Sequence, residues 1–232
     1  MEQPVVLVHG FTQTAASWDG VLDGTAVDVV PLDDLWATAR RIGEHHGPAA
    51  YVGYSMGGRL CLHLALAAPA VVQRLVLLGA TAGIEDERER AARRQADERL
   101  ADDIDRDGVD AFLERWLSHP MFGDLTDPGP RRRDPGILAA CLRRLGTGVQ
   151  EPLWDRLPQL AMPVLVVAGE RDDKFIALGR RMADAIGDNA RFAVVPGAGH
   201  AAHLEEPKAF RAVVEPFLQG DAEGEEDAEG QL

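Results

Sequence analysis

The segment Gly53-Tyr54-Ser55-Met56-Gly57-Gly58 constrains this chain more than any other feature. It follows a six-residue apolar run, residues 49–54, and precedes a helical pattern over residues 59–68, so a buried strand must turn sharply into a helix with Ser55 at the corner. Such a corner needs small flanking residues. The backbones pass too closely for extra side-chain atoms, and the serine itself is held in a sparsely populated conformation. A serine that merely capped a helix would not need glycine on both sides. Ser55 is therefore expected to project freely at the carboxyl edge of a sheet.

Apolar runs of strand length recur around this corner, at residues 5–8, 27–30, 49–54, 75–78, 163–168 and 191–195. Helical patterns separate them, including residues 177–186 and 207–218, and this alternation is that of a parallel sheet covered on both faces. Residues 84–160 break the rhythm with helical, charged stretches and no strand. Within them, residues 85–106 alternate acids and bases as a solvated helix with i,i+4 ion pairs does. Pro128, Pro130 and Pro135 with Gly129 and Gly136 mark a break, and residues 138–145 restart a helix. With 232 residues and 46% hydrophobic content the chain suits one core. The expected organisation is an α/β core from residues 1–83 and 161–219, a helical cap from residues 84–160, and an acidic tail, residues 220–232, with too little apolar surface to offset its ordering entropy.

The formal charge of −14 argues against nucleic-acid binding, where counterion release rewards a basic surface. No run approaches the roughly 18 apolar residues of a membrane helix, and Met1 is followed almost at once by a strand, so no membrane partner and a cytoplasmic location are expected. Cys61 and Cys141 belong to no C-x-x-C or Cys/His cluster. They read as reduced packing residues, and neither a metal nor a cofactor is expected.

A serine at such a corner needs a base, and its chemistry needs somewhere for negative charge to go. Two backbone amides can receive that charge, the amide of Met56 directly after the serine and the amide of Phe11 in the loop after the first strand, where Gly10 permits close approach. His9 reads as ordering that loop. Of the seven histidines, His200 in Pro196-Gly197-Ala198-Gly199-His200 lies just past the last strand, on a loop able to carry an imidazole over the sheet edge. His203 reads as the start of the last helix, and His45, His46, His63 and His119 lie in helical or surface contexts. The acid should follow the penultimate strand, in Gly169-Glu170-Arg171-Asp172-Asp173-Lys174-Phe175. Asp172 fits best, in the chain order Ser, Asp, His, with Asp173 and Glu170 open as alternatives. Acids also gather at helix N-termini to satisfy the dipole, which accounts for one of the three but not all. Arg59, four residues after Ser55 on a helix that should be buried, either pairs with a carboxylate from residues 84–160 or faces a substrate anion.

Taken together these residues resemble the 2-succinyl-6-hydroxy-2,4-cyclohexadiene-1-carboxylate synthase family of menaquinone biosynthesis, within the α/β-hydrolase superfamily. Gly53-Tyr54-Ser55-Met56-Gly57-Gly58-Arg59 resembles the family's serine corner with its arginine, and Glu89-Arg90-Ala91-Ala92-Arg93-Arg94-Gln95-Ala96-Asp97 its first cap helix. Phe112 to Trp116, Pro120-Met121-Phe122, Leu145-Gly146-Thr147-Gly148, Trp154 and the acid-bearing segment resemble family segments too, and the likeness runs over residues 5–218. It implies an α/β-hydrolase fold, a mostly parallel sheet flanked by helices with a helical cap inserted after the strand ending near Leu78. It also implies a carbon-oxygen lyase that eliminates pyruvate from a small polyanionic carboxylate substrate; separately, a monomer or weak homo-oligomer is expected. By that resemblance Asp172 and His200 raise the basicity of Ser55, which takes a ring proton. Arg59 and Arg93 correspond to the family's anion-binding arginines, and Tyr54 and Trp116 to its pocket positions. A third arginine is implied near Arg131, Arg132 and Arg133, whose spacing does not say which.

One segment departs from the family. Where most relatives carry D-x-x-G-x-G, this chain reads Pro31-Leu32-Asp33-Asp34-Leu35-Trp36, which bears on one wall of the pocket. Two other readings compete: a serine carboxylesterase or other small-molecule α/β hydrolase acting through an acyl-enzyme, and a binding protein that keeps the fold without catalysis. Guanidinium groups directed at Ser55 would favour an anionic substrate over an apolar ester.

Overall fold

The computed structural model describes residues 3–122, 125 and 129–220. Strands β1 (Val5–Val8), β2 (Thr25–Val27), β3 (Ala49–Tyr54), β4 (Val72–Leu78), β5 (Val164–Gly169) and β6 (Ala190–Val195) form one sheet in the order β2-β1-β3-β4-β5-β6. Every pairing is parallel. All six residues of β3 and of β5 are buried, so apolar residues are needed on both faces and the two-residue alternation disappears from the sequence.

The two faces are covered by different helices. Val6, Val8 and Tyr51 pack with Leu35, Leu60 and Met182 of α1 (Leu35–His46), α2 (Met56–Ala67) and α6 (Asp173–Ile186). Leu7, Ala50 and Val52 point the other way, toward Trp18 and toward Phe210 and Val214 of α8 (Pro207–Gln219). Between β4 and β5 run α3 (Glu87–Asp107), α4 (Val109–Leu117) and α5 (Pro135–Leu145). These three share an apolar cluster including Ile104, Phe112, Leu113, Leu138 and Leu142, and Phe11 packs against it from the loop after β1.

Several boundaries differ from those read in the sequence. The second strand occupies Thr25–Val27 rather than residues 27–30, because the Val29 amide donates to the His9 imidazole (3.1 Å) instead of to a neighbouring strand. Val30 is consequently 57% exposed. Strand β4 starts three residues early, at Val72, and α6 starts at Asp173, capped by Asp172. His203 does not open the last helix but lies buried in a separate turn, α7 (Ala202–Glu205). Pro128 and residues 221–232 of the acidic tail lie outside the described residues. Among the described residues no helix is long and apolar enough to cross a membrane, and no group of side chains could hold a metal ion.

Helix α2 crosses the end of β1 at Gly57, where an added Cβ would fall inside the Val8 and His9 carbonyls. Gly57→Ala is expected to cost about 3 kcal/mol or to prevent folding, since only backbone could move aside. Gly136→Ala, on the open side of α5, meets nothing nearer than the Asp134 carboxylate at 3.4 Å. It should leave stability unchanged or raise it by up to about 1 kcal/mol. Equilibrium urea unfolding of both variants checks the contrast.

Candidate active site

Ser55 has φ 51 and ψ −106, and among the described residues only Thr12 (φ 68) also combines a side chain with positive φ. The strain is held by the surroundings: the Ser55 amide donates to the Leu78 carbonyl (2.8 Å), fixing the end of β3 to β4. Met56 is the first residue of α2, so its amide has no acceptor within the helix. The Phe11 amide donates to no acceptor among the described residues. Its loop is pinned on both sides. The Gly10 amide donates to Gln13 Oε1 (3.0 Å), and the His9 ring, bonded to the Gly10 carbonyl (2.8 Å), receives the Val29 amide.

His200 Nδ1 lies 2.6 Å from Asp172 Oδ2. The other oxygen of Asp172 accepts the Phe175 amide (3.3 Å), so one carboxylate both caps α6 and orients the imidazole. Helix capping and histidine orientation, which the sequence presents as competing roles for these acids, coincide in a single residue. Asp173 is exposed, and Glu170 serves the loop instead, accepting the Gly197 amide (2.7 Å). Glu205, which no sequence motif marks, accepts the amides on either side of His200, Gly199 at 2.5 Å and Ala201 at 2.9 Å. The Phe175 ring packs tilted against the His200 ring at 4.5 Å, with Tyr54 at 5.4 Å. Ser55 and His200 line one cavity of about 100 Å³, with no hydrogen bond between them in this state. Such contacts commonly tighten only around substrate.

The same cavity is lined by Phe11, Tyr54, Met56, Arg59, Arg93 and Trp116, so the structure brings together every residue singled out at this site except Asp172, which stands behind His200. Arg59 is 7% exposed and bonds to the neutral amide of Gln150 (3.3 Å). Among the described residues it has no carboxylate within 4.0 Å, which removes the ion-pair reading of this side chain. Burial, reinforced by the neighbouring Arg93 and opposed in part by Asp97, lowers its pKa to about 10, so it stays cationic at neutral pH. Arg93 holds Asp97 at 2.8 Å. Asp97 is almost fully buried and also accepts the Gly148 amide (3.3 Å). A solvated face over residues 85–106 does not account for Asp97, although its i,i+4 spacing from Arg93 is a signal present in the sequence. The Trp116 indole N–H is buried without an acceptor among the described residues.

The remaining expectations divide. Arg131 donates to Thr12 Oγ (3.0 Å), Arg132 pairs with Asp28 (2.9 Å), and Arg133 pairs with Asp110. Arg131 and Arg132 thus engage loop residues and Arg133 engages α4, and none of the three lines the cavity. The departing segment at residues 31–36 also stays outside, with Asp34 capping α1. Cys61 and Cys141 are free and buried, and Cys141 contributes to the cavity wall.

The model of the Alpha/beta hydrolase family matches residues 5–213. The chain is 34% identical to the 2-succinyl-6-hydroxy-2,4-cyclohexadiene-1-carboxylate synthase of Salmonella agona over 88% of each chain. It is 32% identical to the enzyme of the same name from Serratia proteamaculans, over 84% of this chain and 78% of that one. Among solved structures, MenH from S. aureus superposes with a TM-score of 0.86 at 26% identity, covering 95% of both chains.

Burial holds three imidazoles neutral: His9 and His63 at about 4, and His203 at about 3, each lowered chiefly by desolvation. Unfolded, they protonate near 6.5. The unfolded state therefore binds more protons between these values, so their contribution to stability is complete above pH 6.5 and declines as pH falls toward 4. The urea midpoint is expected to drop steadily from about pH 6.5 to about pH 5, and His63→Gln to make that slope shallower. A midpoint that stays flat over this window contradicts the assignment.

Proposed function

The chain belongs to the Alpha/beta hydrolase family and, within it, to the 2-succinyl-6-hydroxy-2,4-cyclohexadiene-1-carboxylate synthase family, and from this we propose that it eliminates pyruvate from 2-succinyl-5-enolpyruvyl-6-hydroxy-3-cyclohexene-1-carboxylate. The chain is an enzyme of this superfamily, and the lyase reading rests on one observation above all. Beside Ser55 stands a buried guanidinium, Arg59, whose hydrogen-bond partner is a neutral amide and which has no carboxylate within 4.0 Å among the described residues; Asp97, already paired with Arg93, acts on it only at longer range. A desolvated cation in that position is costly unless an anion arrives to meet it. A neutral ester with an apolar acyl group would not meet that need.

In this reading Asp172 fixes the His200 tautomer with Nδ1–H toward the carboxylate, leaving Nε2 to accept the Ser55 proton. Ser55 takes the proton from the ring carbon that bears the succinyl group. The electron pair forms a new ring double bond, the existing one shifts by one position, and the bond from ring carbon to enolpyruvyl oxygen breaks. Pyruvate leaves as its enolate and takes a proton on carbon, so no acyl-enzyme forms. Negative charge develops on the succinyl carbonyl oxygen during proton removal, and the Phe11 and Met56 amides suit its stabilisation. Arg59 and Arg93 pair with substrate carboxylates, Trp116 offers a further donor, and Tyr54 packs against the imidazole. Residues 84–160 act as a cap that excludes water over the serine.

The reading is tested by pyruvate release from that substrate, run beside p-nitrophenyl acetate hydrolysis. Ser55→Ala is expected to lower kcat by about 10³-fold while substrate still binds, as loss of the proton-abstracting group requires. Arg93→Ala is expected to raise KM by about tenfold or more with a smaller effect on kcat. Rapid ester hydrolysis without pyruvate release would make the enzyme a carboxylesterase instead.

A further inference from the structure

The cavity at Ser55 is too small for the substrate proposed above. It holds about 100 Å³, against roughly 300–1,000 Å³ for sites that enclose a small molecule of that size. A second chamber of about 480 Å³ adjoins it, and four residues line both: Arg93, Thr147, Lys174 and Phe175. The substrate has three carboxylates, one directly on the ring and one at the end of each of its two arms. If one arm enters the inner cavity toward Arg59, the other extends through this throat.

The charges of the outer chamber are mostly accounted for. Glu85 and Arg181 form a two-bond pair (2.6 and 2.8 Å), and the Arg181 guanidinium lies 3.8 Å over the Trp154 ring. Asp86 caps α3 by accepting the Glu89 amide (2.8 Å). Arg93 is held by Asp97. Lys174 is different. It sits at the first turn of α6, exposed, with no carboxylate within 4.0 Å among the described residues. Its ammonium lies 5.6 Å from the centre of the Phe175 ring, the ring that packs against His200. Asp86, whose partner is a backbone amide, and Glu89, whose side chain has none among the described residues, leave negative charge on the outer wall that disfavours an anion held deeper in that chamber. The favourable position for a carboxylate is therefore the throat itself, between Arg93 and Lys174.

We infer that Lys174, with Arg93, forms a carboxylate-binding subsite at the junction of the two chambers and that it selects for a substrate with an anionic arm reaching out of the inner cavity. This rests on the lyase reading. An ammonium serves here because the contact is a point charge at a wet mouth, where bidentate geometry is not required.

Steady-state pyruvate release tests it in wild type, Lys174→Ala, Lys174→Glu, Lys174→Arg and Arg180→Ala. Arg180 is an exposed cation of the same helix that stacks on Phe192, lines neither chamber and so controls for long-range charge. Lys174→Ala is expected to raise KM about tenfold with kcat within about twofold, and Lys174→Glu to raise KM further, as loss and reversal of a substrate-binding charge require. Lys174→Arg should recover most of the loss, and Arg180→Ala should stay within about twofold of wild type. Unchanged KM in Lys174→Ala, or an equal rise in Arg180→Ala, with wild type releasing pyruvate, overturns the subsite and leaves the lyase reading intact. No pyruvate release by wild type overturns both.

Discussion

Everything at this site depends on how closely two backbones pass where α2 leaves β3 and crosses β1. There is no room there for a side chain at Gly57, and none at Gly53 either, where an added Cβ would meet the Gly57 backbone. That contact sets the direction of α2. It leaves Ser55 in a conformation most side chains avoid, tied to β4 through the Leu78 carbonyl. It also brings the Met56 amide and the Phe11 loop to the same edge of the sheet. The hydroxyl is thus aimed by backbone packing, with little dependence on its own contacts.

A second constraint is electrical. The chain as a whole carries a charge of −14, yet the cavity beside Ser55 concentrates guanidinium groups. The arrangement holds because Asp97, itself buried, engages Arg93 and the Gly148 amide, while Arg59 is left with only a neutral amide. Local order at this depth outweighs the net charge of the surface, whose effect is screened over about 10 Å. Gly148 contributes through its size: an added Cβ there would strike the α3 backbone at Arg94, so the 146–148 loop can lie flat against the helix that carries Arg93.

The imidazole is positioned by a comparable division of labour. Asp172 sets the ring's rotation, while Glu205 and Glu170 set the path of its loop by accepting backbone amides on both sides of it. Three acids near one histidine therefore do different things, and only one touches the ring. The scaffold by itself does not choose the chemistry, which rests on the side chains placed on it.

The alternating sheet and helices, the corner at Ser55, and the candidacy of His200 and Asp172 are legible in the sequence alone, because each leaves a local trace: buried strands as apolar runs, a tight corner as flanking glycines, a loop acid and histidine as residues just past strand ends. The sequence pattern misplaced the second strand, since the His9 side chain that takes the Val29 amide is twenty positions away in the chain. It presented α3 as solvated, because charge spacing along a helix does not reveal which side another element will cover. Long-range packing alone sets that Asp97 is buried, that Arg59 has no carboxylate in direct contact among the described residues, that Arg131, Arg132 and Arg133 are engaged outside the cavity, and that Lys174 stands in its throat. These facts depend on residues brought together across many tens of positions. Burial and pairing are properties of such contacts, and no local pattern encodes them.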